Sequence, residues 1–262
     1  MILDEIVAHQ RRHLARRRDL VPLRELEGTA GGLPDPVDFV APMRCDGVAL
    51  IAEAKRASPS KGLLCPDYRP LDLARAYAAN GAAAISVLTE SHFFGGSLDD
   101  LAEIRRGLEV DIPLLRKDFI LEPYQVYEAR AFGADAVLLI AAVLGDGVLG
   151  ELLVLVQELG MAALVEVHDQ AELERVLFLE PRVVGINNRD LRDFSVDLDT
   201  FGRLRALVPD DVVAVAESGV RSAVDVRRLA HMGADAVLVG EALVTASDPG
   251  ARVRDLTAGG GA

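Results

Sequence analysis

The sequence predicts an α/β fold, a closed (β/α)8 TIM barrel with an N-terminal helical extension. Eight short runs rich in Val, Ile, Leu and Ala follow one another from about residue 46, and longer segments with helical periodicity separate them. Such near-continuous apolar runs are typical of parallel strands that are buried on both faces. Eight strand–helix units over about 210 residues match the size of this barrel.

Strands and helices alternate regularly along the chain. The eight predicted strands are residues 48–55, 82–89, 113–119, 134–141, 162–168, 182–187, 211–217 and 234–240. The clearest helical segments between them are residues 71–79, 98–108, 148–159, 171–179 and 223–231. Four glycines stand where these helices should end, as C-terminal caps do: Gly81, Gly133, Gly160 and Gly233.

An internal repeat favours a closed barrel over the alternative, an open doubly wound sheet. Residues 133–138 and 233–238 have the identical sequence Gly-Ala-Asp-Ala-Val-Leu. They begin predicted strands four and eight, which lie half a barrel apart. Residues 46–262 therefore form the predicted barrel.

Residues 1–45 are predicted to pack on the barrel as an extension and not as a second domain. Residues 2–18 have the pattern of a helix, and residues 28–36 form a connector rich in Pro and Gly. The glycine-rich segment 259–262 is expected to fray.

Composition excludes several classes of protein. With 41 acidic and 28 basic residues the formal charge is -13, which argues against binding to nucleic-acid phosphates. Cys45 and Cys65 cannot form a disulfide framework, and no Cys/His cluster has the spacing of a zinc site. No apolar run approaches the roughly 18 residues of a membrane span. We expect a cytoplasmic protein without a metal.

Polar side chains that should point into the barrel lie at the carboxyl ends of five predicted strands. Because a strand alternates faces, they share the inner surface with apolar residues such as Ile51 and Leu164. Buried charges are costly unless they are paired or used, and barrel active sites lie at this end. The residues are Glu53, Lys55, Lys117, Glu166, His168, Asn187 and Glu217.

The loops at the same end predict binding of a phosphorylated small molecule. Ser218 and Gly219 follow strand seven and Gly240 ends strand eight, and these two loops form the usual phosphate site of such barrels. Ser58 and Lys61 add a hydroxyl and a cation on the loop after strand one. Phe94, Phe119 and Leu191 offer apolar contacts for an aromatic ring.

One motif per strand resembles the indole-3-glycerol-phosphate synthases, the ring-closing decarboxylases of tryptophan biosynthesis. The resemblance covers about residues 46–245 and departs at Ala54, where a larger apolar residue is common. It implies a lyase that needs no cofactor and converts 1-(2-carboxyphenylamino)-1-deoxyribulose 5-phosphate into indole-3-glycerol phosphate, CO2 and water. The matching segments are residues 51–62, 86–90, 94–97, 115–119, 164–168, 185–191, 216–219 and 239–243.

The inward residues suit this chemistry. Ring closure needs a proton on the ketone oxygen, and we expect Lys117 to deliver it because burial readily lowers the pKa of a lysine. Lys55 is expected to pair with the substrate carboxylate or the developing oxyanion, and Glu53 to orient Lys55. Glu166 is the expected base of the dehydration. Asn187 and Glu217 are expected to hold sugar hydroxyls.

The remaining candidates are expected to bind the substrate. Ser58, Ser218, Gly219 and Gly240 are assigned to the phosphate, and Glu241 is assigned there through its backbone. Phe94, Phe119 and Leu191 are assigned to the ring. Arg189 belongs to the motif that ends strand six, and Lys61 is given a secondary role on the first loop.

Three other functions stay open on the sequence. A phosphoribosylanthranilate isomerase needs an acid–base pair but not two inward lysines. A Schiff-base aldolase would use a strand-end lysine as a nucleophile. A non-catalytic barrel would keep only the phosphate site. Lysine is scarce in this chain: 25 basic residues are arginines, and the three lysines all fall in the motifs, which points to Lys55 and Lys117 as functional and less firmly to Lys61.

Overall fold

The computed structural model describes residues 2–190 and 194–261 and shows eight parallel strands in a closed barrel. Each strand lies within a predicted run. The barrel strands are β1 (Ala49–Ala54), β2 (Ala84–Leu88), β3 (Leu114–Lys117), β4 (Ala136–Ile140), β5 (Ala162–Val167), β6 (Val183–Asn187), β7 (Val213–Glu217) and β8 (Ala236–Val239). A short antiparallel hairpin, Ala57–Ser58 with Gly62–Leu63, lies outside the barrel on the loop after β1.

Pairing between the first and last strands closes the sheet. Ala49 of β1 lies opposite Ala236 of β8, and Ile51 of β1 lies opposite Ala84 of β2. Every strand therefore has two parallel neighbours, and the alternative of an open doubly wound sheet is wrong. The predicted (β/α)8 barrel is confirmed.

The helices include the six that the sequence predicts, close to their predicted bounds. They are α1 (Ile2–Leu20), α2 (Leu23–Gly31), α3 (Pro70–Ala79), α4 (Leu98–Gly107), α5 (Pro123–Ala131), α6 (Asp146–Glu158), α7 (Gln170–Leu177), α8 (Asp199–Arg205), α9 (Ala223–His231), α10 (Glu241–Val244) and α11 (Pro249–Gly260). Across residues 2–190 and 194–261, no helix has both the length and the apolarity to span a bilayer.

Two apolar cores confirm the predicted facing of the strand residues. Leu50, Ala52 and Ala54 point outward into a core shared with the surrounding helices, so the unusual small Ala54 affects packing there. Ile51 and Leu164 point inward and fill the barrel. The alternation leaves the inner surface at the carboxyl ends for polar groups.

The repeated hexapeptide has a structural reason at both of its positions. The Asp135 carboxylate accepts a hydrogen bond from the Leu114 N–H at 2.7 Å, and the Asp235 carboxylate accepts one from the Ala214 N–H at 2.7 Å. Each aspartate thus satisfies a backbone donor near the start of the preceding strand. The two half-barrels share this device because they have the same geometry.

The second helix, α2, is present in the structure but was not predicted from the sequence. We expected a connector over residues 28–36, but α2 extends to Gly31. Leu26 and Ala30, four residues apart, are buried, and Leu26 packs with Leu14 of α1 and Tyr124 of α5. Tertiary burial of one helix face outweighs the low helix propensity of the glycines.

The expectation that the glycine-rich end frays is also wrong for Gly259 and Gly260. Both are buried at the end of α11. The Gly260 carbonyl accepts a hydrogen bond from the Val48 N–H at 3.0 Å. Glycine permits this close approach of the last helix to the start of β1.

Two glycine substitutions test this packing with opposite expected signs. A Cβ at Gly260 would lie 2.6 Å from the Val48 carbonyl oxygen, so Gly260→Ala should lower the free energy of unfolding by about 1–3 kcal/mol. Gly28, inside α2, has open space, so Gly28→Ala should raise it by about 0.5–1 kcal/mol. Urea denaturation measures both. Equal changes of the same sign would contradict this account of the chain end.

Candidate active site

A cavity of about 790 Å³ opens at the carboxyl ends of the strands. It gathers every described residue to which the sequence assigned a role, whereas the inward His168 is not part of its lining and Leu191 lies outside the described residues. The predicted residues that line it are Glu53, Lys55, Ser58, Lys61, Phe94, Lys117, Phe119, Glu166, Asn187, Arg189, Glu217, Ser218, Gly219, Gly240 and Glu241. Residues from almost the whole length of the chain thus meet at one place.

Lys117, the last residue of β3, lies between two buried carboxylates. Its Nζ is 3.5 Å from Glu166 Oε2 and 3.3 Å from Glu217 Oε2. Burial lowers the pKa of Lys117, but the negative charges of Glu217, Glu166 and Glu53 outweigh burial and raise it above its usual value. Our expectation of a lowered lysine pKa is therefore wrong, because the sequence does not show how many carboxylates share this cation.

The two carboxylates beside Lys117 have pKa values displaced in opposite directions. Burial raises the pKa of Glu166, but Lys117, His168 and Asn187 outweigh it and hold the pKa below its usual value. Burial and the charge of Glu166 raise the pKa of Glu217 in spite of Lys117. Among the described residues, no hydrogen-bond donor contacts Glu217 Oε1. Of the two, Glu166 is thus the carboxylate held more firmly as the anion, and Glu217 is the one that takes up a proton more readily.

Lys55 and Glu53 form a second ion pair at the end of β1. Lys55 Nζ lies 2.8 Å from Glu53 Oε1, and both side chains are largely buried. A Cβ at Gly240 would overlap the Glu53 carboxylate, and one at Gly185 would overlap the Glu217 carboxylate. These two glycines leave the space that the carboxylates occupy, a role that the sequence analysis missed for both positions.

The end of the cavity predicted to bind phosphate is built from the loops after β7 and β8 and the hairpin after β1. Ser218 has a φ of 65°, a left-handed conformation that is uncommon outside glycine, and Gly219 follows it with a φ of 88°. Lys61 Nζ forms an exposed ion pair with Glu241. Burial raises the pKa of Glu241, but Lys61, Lys55 and Arg221 together lower it below its usual value.

Several residues of the cavity wall were not predicted from the sequence. Arg221 and Arg252 add cations, and Ile2, Leu3 and Ile6 of α1 add an apolar surface. Phe94 and Phe119 face each other across 6.3 Å between ring centroids. The apolar face of α1 is visible in the sequence, but only the fold shows what it covers.

A fully buried network supports β3 behind Lys117. The Arg116 guanidinium donates to Asp118 at 2.8 Å and pairs with Glu128 of α5 at 2.9 Å. The Asp118 carboxylate also accepts from Gln10 of α1 at 2.8 Å and from Thr89 at 2.7 Å. The network joins α1, α5 and the ends of β2 and β3, and it fixes the backbone that carries Lys117.

Asn187 at the end of β6 positions the Glu166 carboxylate. Its Nδ2 donates to Glu166 Oε1 at 3.2 Å, and its Oδ1 accepts from the Arg189 N–H at 3.0 Å. The side chain is therefore fixed at both of its polar atoms. Arg189 also donates from its guanidinium to the Phe194 carbonyl at 3.1 Å, which keeps its charge at the cavity wall.

Comparison with solved structures supports the fold alone. The 3-hexulose-6-phosphate synthase of Salmonella typhimurium aligns at a TM-score of 0.66 with 15% identity, over 81% of this chain and 98% of that chain. Thiamine phosphate pyrophosphorylase from Pyrococcus furiosus aligns at 0.60 with 19% identity, over 82% and 96% of the two chains. At such low identity these likenesses show a shared barrel and nothing about the reaction.

Sequence comparisons give the family. The chain is 50% identical over 258 residues to an indole-3-glycerol phosphate synthase of Dehalococcoides mccartyi, covering 98% of this chain and 100% of the relative. It is 51% identical over 267 residues to that of a Roseiflexus species, covering 99% and 98%. The family model of indole-3-glycerol phosphate synthase matches residues 3–256. The chain therefore belongs to the indole-3-glycerol phosphate synthase family, the decarboxylating lyases of tryptophan biosynthesis.

Proposed function

We propose that Lys117 is the general acid and Glu166 the general base when this chain forms indole-3-glycerol phosphate, CO2 and water from 1-(2-carboxyphenylamino)-1-deoxyribulose 5-phosphate. One observation carries the assignment. Lys117 lies within 3.5 Å of both Glu166 and Glu217, whose pKa values are displaced in opposite directions. Titratable groups that are pushed apart in this way are typical of acid–base pairs.

The cavity supports one orientation of the substrate. The apolar wall of Phe94, Phe119 and α1 suits the anthranilate ring, and Lys55 is the cation available to its carboxylate. The phosphate then lies against the loops of Ser218, Gly219 and Gly240, with Lys61, Arg221 and Arg252 nearby. The ketone carbon falls between the two ends, next to Lys117.

Ring closure follows from this orientation. As the ring carbon attacks the ketone, the Lys117 ammonium gives a proton to the ketone oxygen, and the carboxylate leaves as CO2. The raised pKa of Lys117 ensures that the proton is present at neutral pH. Glu217 Oε2 lies 3.3 Å from Lys117 Nζ, and the raised pKa of this carboxyl suits it to take up a proton and return it to the neutral amine. We thus add a proton-storing role to the hydroxyl contact expected of Glu217.

Dehydration uses the same groups in a second step. Glu166, kept ionised, takes a proton from the newly closed ring. Lys117 protonates the departing hydroxide, which leaves as water. Asn187 holds Glu166 in place for this step. Closure and dehydration together need a cation that gives up a proton twice, which an arginine cannot do.

The structure also disfavours one rival activity. A Schiff-base aldolase needs a lysine whose neutral amine attacks a carbonyl. Three carboxylates raise the pKa of Lys117 and keep it protonated, which opposes that role.

For the molecule as a whole, we propose a cytoplasmic enzyme that requires no cofactor and does not bind nucleic acid. The formal charge of -13 is consistent with the absence of nucleic-acid binding. In the same proposal, residues 1–45 and the barrel form one domain.

Substitution of the two central residues tests the assignment. Lys117→Ala and Glu166→Gln should each reduce kcat by about 10² to 10⁴, the usual contribution of a general acid or base. Lys117→Arg should reduce kcat by as much, because arginine keeps the charge but has no proton that it can transfer. Arg227→Ala, on the exposed face of α9, is the control. Indole fluorescence measures product formation, and near-wild-type turnover of a variant would remove the role given to that residue.

Gly185→Ala tests whether the position of Glu217 matters for the chemistry. The new Cβ would overlap the Glu217 carboxylate, whose displacement should reduce kcat by about 10² with little change in KM. Gly145→Ala is the matched control, because nothing lies within 4 Å of its Cβ position. Initial rates and near-ultraviolet circular dichroism separate lost activity from lost folding. An unchanged kcat in a folded Gly185→Ala protein would argue against the proton-storing role of Glu217.

A further inference from the structure

A second cavity, of about 480 Å³, is lined by His168 but not by Lys117. His168 follows β5, two residues after Glu166, and the sequence analysis gave it no role. The wall of this cavity includes His168, Asp169 and Glu172, and it shares Asn187 and Arg189 with the main cavity. His168 thus stands between the base of the reaction and a second opening.

The imidazole of His168 bridges two carboxylates. Its Nε2 lies 3.2 Å from Glu166 Oε1, and its Nδ1 lies 3.1 Å from Glu172 Oε2. With a carboxylate at each ring nitrogen, the ring is arranged to carry two N–H donors, which only the imidazolium has. A cation therefore lies against Glu166 Oε1, whereas Lys117 contacts Oε2 of the same carboxylate.

Glu172 is itself held in place at the start of α7. Asp169 caps this helix, because its carboxylate accepts a hydrogen bond from the Glu172 backbone N–H at 2.9 Å. The Glu172 carboxylate accepts one from the His168 backbone N–H at 2.8 Å. The amino end of a helix stabilises a negative charge. The backbone thus fixes a carboxylate whose position next to the His168 ring does not depend on substrate.

We propose that His168, held by Glu172, is a positioning residue that keeps the Glu166 base ionised and oriented toward the substrate. Burial lowers the pKa of His168, but Glu166 and Glu172 outweigh burial and raise it to about 10. Glu166 in turn contacts the Lys117 ammonium through Oε2, so each of its two oxygens has a cation beside it. Asn187 also lies beside the His168 ring. The more distant charged residues around His168 are those in the wall of the second cavity: Asp169, Arg189, Asp190, Asp197 and Arg203.

This proposal rests on the assignment of Glu166 as the base, and the pH dependence of kcat/KM tests it. His168→Gln removes the cation but keeps a side chain that can donate a hydrogen bond. The pKa of Glu166 should then rise, and below that pKa kcat/KM should fall about tenfold for each unit of the rise. The acidic limb of the profile moves to higher pH, while KM at alkaline pH stays near the wild-type value.

Glu172→Gln should move the opposite limb. His168 then loses one of its two carboxylates, so its pKa falls and the imidazolium is lost at a lower pH. The alkaline limb of the pH profile moves to lower pH, and the acidic limb stays closer to that of the wild type. Glu174→Gln, on the exposed face of the same helix, is the matched control and should keep the wild-type profile. Ionisation of the substrate is common to all variants and cancels in the comparison.

His168→Ala provides an independent readout. The space that it leaves is continuous with the second cavity, so added imidazole should restore turnover, whereas sodium chloride at the same ionic strength should not. A folded His168→Gln protein with wild-type pH limbs, or a folded His168→Ala protein that imidazole does not restore, would overturn the proposal. Glu166→Gln distinguishes the two levels: if it stays active, the assignment of the base fails, and if it is inactive while both His168 variants keep full activity, only the role of His168 fails.

Discussion

The buried ion cluster around Lys117 is the interaction on which the rest of the site depends. Three carboxylates, those of Glu217, Glu166 and Glu53, raise the pKa of this one cation. Removing a single member of such a cluster leaves an uncompensated charge in a medium of low dielectric, which costs more than the pair contributes. The charges therefore require one another, and their pKa values are properties of the group. In the proposed mechanism, acid and base functions arise because one carboxylate is more strongly stabilised as the anion than its neighbour.

A closed barrel is what allows such a cluster to persist. Each charged group sits on a different strand, and closure fixes the strands in register, so the carboxylates cannot move apart to reach water. The backbone also makes room: Gly185 and Gly240 lie where any larger residue would meet a carboxylate. On the opposite face of β3, the Arg116 network ties the strand to α1 and α5. Rigid surroundings on both faces keep the polar groups preorganised, which is where much of the catalytic effect of such sites comes from.

The sequence predicted the barrel from eight near-continuous apolar runs separated by helical segments, and it predicted the inward residues at the strand ends from the alternation of faces along a strand. It could not predict features that depend on contacts between distant segments. The helix over Leu23–Gly31 is favoured by burial of Leu26, and Gly260 is ordered by its contact with Val48. Arg252 reaches the cavity from the last helix, whose position no local pattern reveals. The raised pKa of Lys117 depends on the count of neighbouring carboxylates, and that count is a property of the closed sheet.

The neighbours Arg116 and Lys117 show why this chain keeps lysine at so few places. Arg116 points out of the barrel, is fully buried and uses several donors of its planar group on Thr89, Gln125, Asp118 and Glu128, a task that suits a permanent charge. Lys117 points into the cavity, where the proposed mechanism needs a compact cation that can lose a proton. All three lysines of the chain line that cavity, whereas arginine serves almost every other basic position. An arginine in place of Lys117 could balance the carboxylates, but it could not transfer a proton, so charge balance alone does not account for lysine there.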